Sequence, residues 1–109
     1  MEKTTLTTLV LQFQETGKGK DELFRDISLK VYYYPRNKYG WSYDECSDFY
    51  CFFYPRIHTL IHNFTDRGKP FEAYLNVTLR FQLKTFIYKK AKQRRYNKIV
   101  AQESFLELA

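Results

Sequence analysis

His58 and His62 stand four residues apart, the spacing at which one helix face can present two imidazoles to a metal ion. No HExxH pattern surrounds them, and the nearest acid is Asp66, a further four residues along. A metal centre needs more ligands than this pair offers, so the histidines read as solvent-facing or core-edge residues and no metal is expected. Cys46 and Cys51 lie five apart, which matches neither CxxC nor a zinc pattern. They read as small apolar residues of a reducing compartment. The chain has no Gly-rich phosphate loop, nucleophile elbow or spaced carboxylate pair. Neither catalysis nor a cofactor is expected.

Charge and aromatic rings supply the chemistry that remains. Ten basic and ten acidic residues cancel over residues 1–79, whereas residues 80–98 hold eight cations and no acid. Those cations are Arg80, Lys84, Lys89, Lys90, Lys92, Arg94, Arg95 and Lys98, and only Glu103 and Glu107 follow. The net charge of +6 is therefore the property of one segment. Clustered like charges repel unless open solvent or an anionic partner relieves them. Cations near a helix C-terminus also suit the macrodipole, but eight exceed what that effect requires. Ten Phe, ten Tyr and one Trp make 19% of the chain aromatic. Rings beside Lys and Arg suit single-stranded nucleic acid, where bases stack and phosphates meet cations.

The elements that must position these residues read as helices. Leu6, Leu9, Val10 and Phe13 recur at helical spacing, and the glycines of GKGK end that run. A second helix carries Leu23, Phe24, Ile27, Val31 and Tyr34, with Asp21 as its cap and Pro35 as its end. PRNKYG reads as a turn. Ser42 or Asp44 caps a third helix carrying Cys46, Phe49, Tyr50 and Phe53. Pro55 is expected to interrupt it before Ile57, Leu60, Ile61 and Phe64 resume the pattern. After the turn TDRGKP, a long helix is predicted over residues 70–98, with Pro70 at its first position, then a short last helix over residues 99–108. YYYPR and FFYPR, twenty residues apart, are too few copies for a solenoid. The expected fold is all-α: one domain over residues 1–109, a compact bundle of four to six helices with one long basic C-terminal helix.

The long helix has two apolar stripes. With Phe71 set at zero and about 100° per residue, Leu75, Leu79, Leu83 and Phe86 share its side. Tyr74, Val77, Phe81 and Tyr88 fall on another face, which Lys92 and Arg95 extend. Either this second stripe packs on a neighbouring helix, or it faces a ligand. No apolar run approaches a membrane span, and the N-terminal residues lack the form of a secretory leader. A cytoplasmic protein without membrane association is expected.

RGKPFEAYLNVTLRFQLKTFIYKKAKQRR resembles region 2 of bacterial RNA polymerase sigma factors, particularly the extracytoplasmic-function group. In that family a Gly-containing turn leads to an aromatic, an aromatic-Leu pair and a long helix ending in a basic run. Gly68, Phe71, Tyr74-Leu75 and the Lys/Arg cluster stand in those places. Upstream, LVLQFQETGKGKDELFRDISLKVYYYPR is similar to the family's opening helix, Gly turn and second helix. SYDECSDFYCFF is similar to its acidic polymerase-docking helix. The likeness covers roughly residues 6–98, one region 2 domain, and includes no counterpart of region 4.

The resemblance implies a transcription-initiation module with two partners, the clamp helices of the polymerase core and the melted minus-ten strand of promoter DNA. Asp44, Glu45, Asp48, Phe49 and Phe52 would belong to the docking surface. Arg67 and Lys69 would flank a flipped base. Phe81 and Tyr88 would stack on or wedge between bases, and Arg80, Lys84, Lys89, Lys92, Arg94 and Arg95 would meet phosphates. An anti-sigma-like regulator is a further partner it allows. Two alternatives stay open: a sigma-like interaction module that does not read promoters, and a generic single-strand binder.

Overall fold

Ser42 starts the helix for which sequence offered two caps. Its hydroxyl accepts from the Glu45 amide at 3.2 Å, and the Glu45 carboxylate accepts from the Ser42 amide at 3.3 Å. This reciprocal box satisfies two donors that a bare helix end leaves open. A computed structural model describes residues 5–108, with side chains through Arg95 and at Asn97. It contains four helices: α1 (Leu6–Thr16), α2 (Lys20–Tyr39), α3 (Tyr43–Asn63) and α4 (Phe71–Leu108). No strand occurs among the described residues, so the fold is all-α.

Both interior prolines depart from expectation. α2 does not end at Pro35 but continues to Tyr39, and α3 runs through Pro55 without a break. A helix-interior proline loses one hydrogen bond and costs roughly 3 kcal/mol. Burial on both sides offsets that cost: Val31 and Pro35 are buried in α2, and Phe53 and Ile57 in α3. Gly40 stops α2 instead, since at φ 68° it takes the left-handed conformation and donates its amide to the Arg36 carbonyl. α2 also begins before Asp21. Gly19 holds the cap position without a side-chain bond, and Asp21 and Glu22 lie in the first turn, where they complement the dipole.

All four helices feed one core. α1 contributes Leu6, Leu9 and Val10; α2 contributes Leu23, Ile27 and Val31. α3 adds Phe49, Phe53, Ile57, Leu60 and Ile61, and α4 adds Phe71, Leu75, Leu79, Leu83 and Phe86. These are the positions that recur at helical spacing in the sequence. α2 and α3 share the most extensive packing. Among the described side chains of α4, Phe86 is the last that is buried, and every one beyond it is exposed. The helix nevertheless continues to Leu108 as one element, not as two helices divided near residue 98. Its 38 residues outrun the bundle and account for a molecule of 70 × 25 × 24 Å. No helix among the described residues is long and apolar enough to cross a membrane.

Candidate nucleic-acid interface

The start of α4 is fixed by a reciprocal cap with α1. The Glu72 carboxylate accepts from the Leu6 amide at 3.0 Å and from the Thr7 hydroxyl at 3.1 Å. That Thr7 oxygen accepts in turn from the Phe71 amide at 2.8 Å. Two helix N-termini, each short of acceptors, are thereby satisfied by one acid and one hydroxyl. Gln14 ties down the preceding loop, its amide donating to the carbonyls of Ile61 at 2.6 Å and Phe64 at 2.9 Å. Asp66 accepts from the Gly68 amide at 3.3 Å, which closes the turn that carries Arg67 and Lys69.

From this anchor α4 presents its second stripe to solvent. Tyr74, Val77, Phe81 and Tyr88 are 39%, 46%, 60% and 69% exposed, so no neighbouring helix covers them. Arg80, Lys84, Lys92 and Arg95 are exposed as well and make no ion pair among the described residues. Thr78 and Thr85 point their hydroxyls back to the carbonyls of Tyr74 and Phe81, both at 3.0 Å, so their donors are spent within the helix. The face therefore offers rings and cations with no acid between them.

At the N-terminal end of this face lies an open cleft of about 680 Å³. Phe64, Tyr74 and Val77 are among its apolar lining, and Arg67 and Lys69 are its cations. Clefts that hold small organic groups typically measure ~300–1,000 Å³. Arg67 and Lys69 were legible in the sequence; Asn63, Phe64 and Thr65, which also line the cleft, were not. Phe64 was legible only as the last apolar position of the α3 pattern, and Asn63 and Thr65 carried no signal beyond standing beside it.

The expected site residues do not all share this face. Lys89 is turned toward α3, its ammonium 5.3 Å from the centre of the Phe52 ring, because it lies on the core side of α4 one turn beyond Phe86. It is thus removed from the set along the aromatic stripe. Arg94 lines a second, smaller cleft of about 240 Å³ beside Trp41, Glu45, Asp48 and Lys90. Lys90 meets Asp48 at 3.7 Å there, an exposed pair worth at most about 1 kcal/mol. Trp41, which packs on Phe86 in this cleft, was missed by sequence reasoning.

The expected docking residues also divide. Asp44, Glu45 and Asp48 are exposed on α3, and Phe52 is half-buried against Phe86. Phe49 is a correction: it is fully buried between Phe53 and Phe86 and cannot meet a partner. Helical spacing with Phe53 and Ile57 puts it on the inner side of α3.

The histidines pack at a tilt to phenylalanines, His58 with Phe24 at 4.8 Å and His62 with Phe13 at 6.5 Å between ring centres. Among the described residues no group of three or more His, Cys, Asp or Glu is placed to hold a metal. Cys46 is buried and Cys51 exposed, and burial pushes the Cys46 thiol above its ordinary value. No family model, curated protein or solved structure matches the chain.

Proposed function

We infer that the chain is a sigma-factor region 2-like module of transcription initiation, a helical bundle whose long basic C-terminal helix holds the melted minus-ten strand. The observation that carries this reading is the exposed row Tyr74, Val77, Phe81 and Tyr88, flanked by exposed Arg80, Lys84, Lys92 and Arg95. Stacking supplies about 1–3 kcal/mol per base, and cations supply the salt-dependent remainder. Phosphate contacts hold the strand in register and leave sequence to the bases that reach a ring or the cleft. Removing a base from its stack costs a few kcal/mol, which Phe64, Tyr74, Arg67 and Lys69 around the cleft would offset. The acidic start of α3, with Asp44, Glu45, Asp48 and the exposed part of Phe52, is the surface assigned to the polymerase clamp helices. Such work belongs in the cytoplasm and needs no cofactor.

Equilibrium binding of labelled single-stranded and duplex oligonucleotides across a salt series tests this reading. Single strands should bind more tightly than duplex, with a log–log slope near −0.7 for each phosphate neutralised. Equal indifference to minus-ten-like and scrambled single strands at low salt would exclude promoter reading. Tight binding of both without preference would reduce the chain to a generic single-strand binder.

A further inference from the structure

α2 and α3 meet along a seam of aromatic rings on the flank of α3 away from α4. Counting about 100° per residue from Phe49 puts Tyr43, Tyr50 and Tyr54 roughly 100–140° to one side, and Asp48 and Phe52 roughly 60–100° to the other. The ring of Tyr32 on α2 is centred 6.4 Å from both Tyr43 and Tyr50, and Tyr54 follows at 5.8 Å from Tyr50. One turn beyond Tyr54, His58 lies 4.8 Å from Phe24 of α2, so the seam runs along most of α2. Tyr43 and Tyr54 are 54% and 45% exposed, and Tyr32 and Tyr50 are half-buried.

A cation lies over a ring at each end of the seam. The Arg36 guanidinium is 4.2 Å from the centre of Tyr43, and the Lys20 ammonium is 5.6 Å from that of Phe24. Asp21 and Asp44 stand beside Lys20 and Tyr43 in sequence, yet neither cation joins an ion pair among the described residues. The Tyr50 hydroxyl donates to Ser28 at 3.0 Å, whereas those of Tyr32, Tyr43 and Tyr54 have no partner among the described residues. The seam thus offers rings, free hydroxyl donors and two terminal cations.

A polyproline II strand complements each of these. It makes no internal hydrogen bonds, so its carbonyls are free to accept, and its pyrrolidine rings pack on aromatic ones. Lys20 and Arg36 are sixteen residues apart, which is ~24 Å along a helix. A polyproline II strand covers that distance in ~8 residues. Single-stranded nucleic acid would need cations along its length, and the rings of the seam meet them only at its ends. We propose that the α2–α3 seam binds a proline-rich peptide segment whose acidic residues, about eight positions apart, meet Arg36 and Lys20. The surface is separate from the strand-binding face of α4 and does not depend on that reading.

The test titrates the full chain into the labelled peptide Asp-Pro-Pro-Ala-Pro-Pro-Ala-Pro-Asp, followed by anisotropy. Moving both aspartates to the centre should weaken binding about 2- to 30-fold, the range of two exposed ion pairs. Replacing every proline by glycine should weaken it as well, because a flexible chain must first be ordered. Lys20→Gln and Tyr54→Phe, which keep the ring packing, should each weaken the peptide and leave single-strand binding unchanged. Phe81→Ala should leave the peptide affinity unchanged. Equal affinity for the proline and glycine peptides overturns the polyproline assignment. No binding up to about millimolar chain, with the helices intact by circular dichroism, overturns the site itself. Displacement of the peptide by a single-stranded oligonucleotide, persisting in Phe81→Ala, would assign the seam to nucleic acid and also overturn the proposal.

Discussion

Phe81 and Phe49 are both phenylalanines of amphipathic helices, yet one is 60% exposed and the other fully buried. Their substitutions should separate cleanly. Phe81→Ala is expected to lower single-strand affinity by about 1–3 kcal/mol. It should shift unfolding by no more than ~0.5 kcal/mol, as exposed sites do. Phe49→Ala should cost about 3–5 kcal/mol of stability, read by denaturant unfolding, because it empties the junction of α3 and α4. The two thiols make a similar contrast. Cys51 should react with a thiol reagent in the native protein, while Cys46 reacts only after unfolding. The buried Cys46 thiol, raised from 9.0, favours the fold while protonated. Its contribution is complete below that pH and is lost as pH rises through the raised value, so alkaline unfolding should show a component that Cys46→Ala removes.

At the scale of elements, the four helices were legible wherever apolar residues recur at helical spacing, because burial of one face is what makes those segments fold. Pro35 and Pro55 misled for a physical reason: their local penalty is visible in sequence, whereas the burial of Val31, Pro35, Phe53 and Ile57 that offsets it is tertiary. The face of Phe49 was legible from its spacing with Phe53 and Ile57, but likeness to an acidic docking helix favoured a surface assignment. The exposure of Tyr74 and Val77 was not legible, since two apolar stripes on one helix look alike until the neighbours are placed. Nor was the α1–α4 cap, which joins residues 64 to 66 positions apart. Thr7→Val should cost about 1–2 kcal/mol in thermal or denaturant unfolding, the scale of a lost N-cap. Paired Arg80→Gln and Lys84→Gln should reduce the salt slope of strand binding by about 0.7 per lost contact, with little change in stability.

For the whole molecule, aromatic excess and positive charge have different homes. Much of the aromatic content is core or half-buried packing, such as Phe49, Phe53, Phe64, Phe71 and Phe86. The surplus charge belongs to residues 80–98, most of it beyond Phe86, the last buried side chain of α4 among the described residues. The bundle thus anchors α4 at one end and leaves its cationic length exposed, bordered by the acidic start of α3 where Lys90 meets Asp48 and Arg94 shares a cleft with Glu45 and Asp48. Capture of a labelled minus-ten-like single strand on immobilised RNA polymerase core, with and without the full chain, tests the proposed function most directly. The strand should be retained over a scrambled one only when the chain is present, and Phe81→Ala should release the strand while the chain stays bound. Failure of the core to retain the chain, under conditions where a known sigma region 2 binds, would contradict the account.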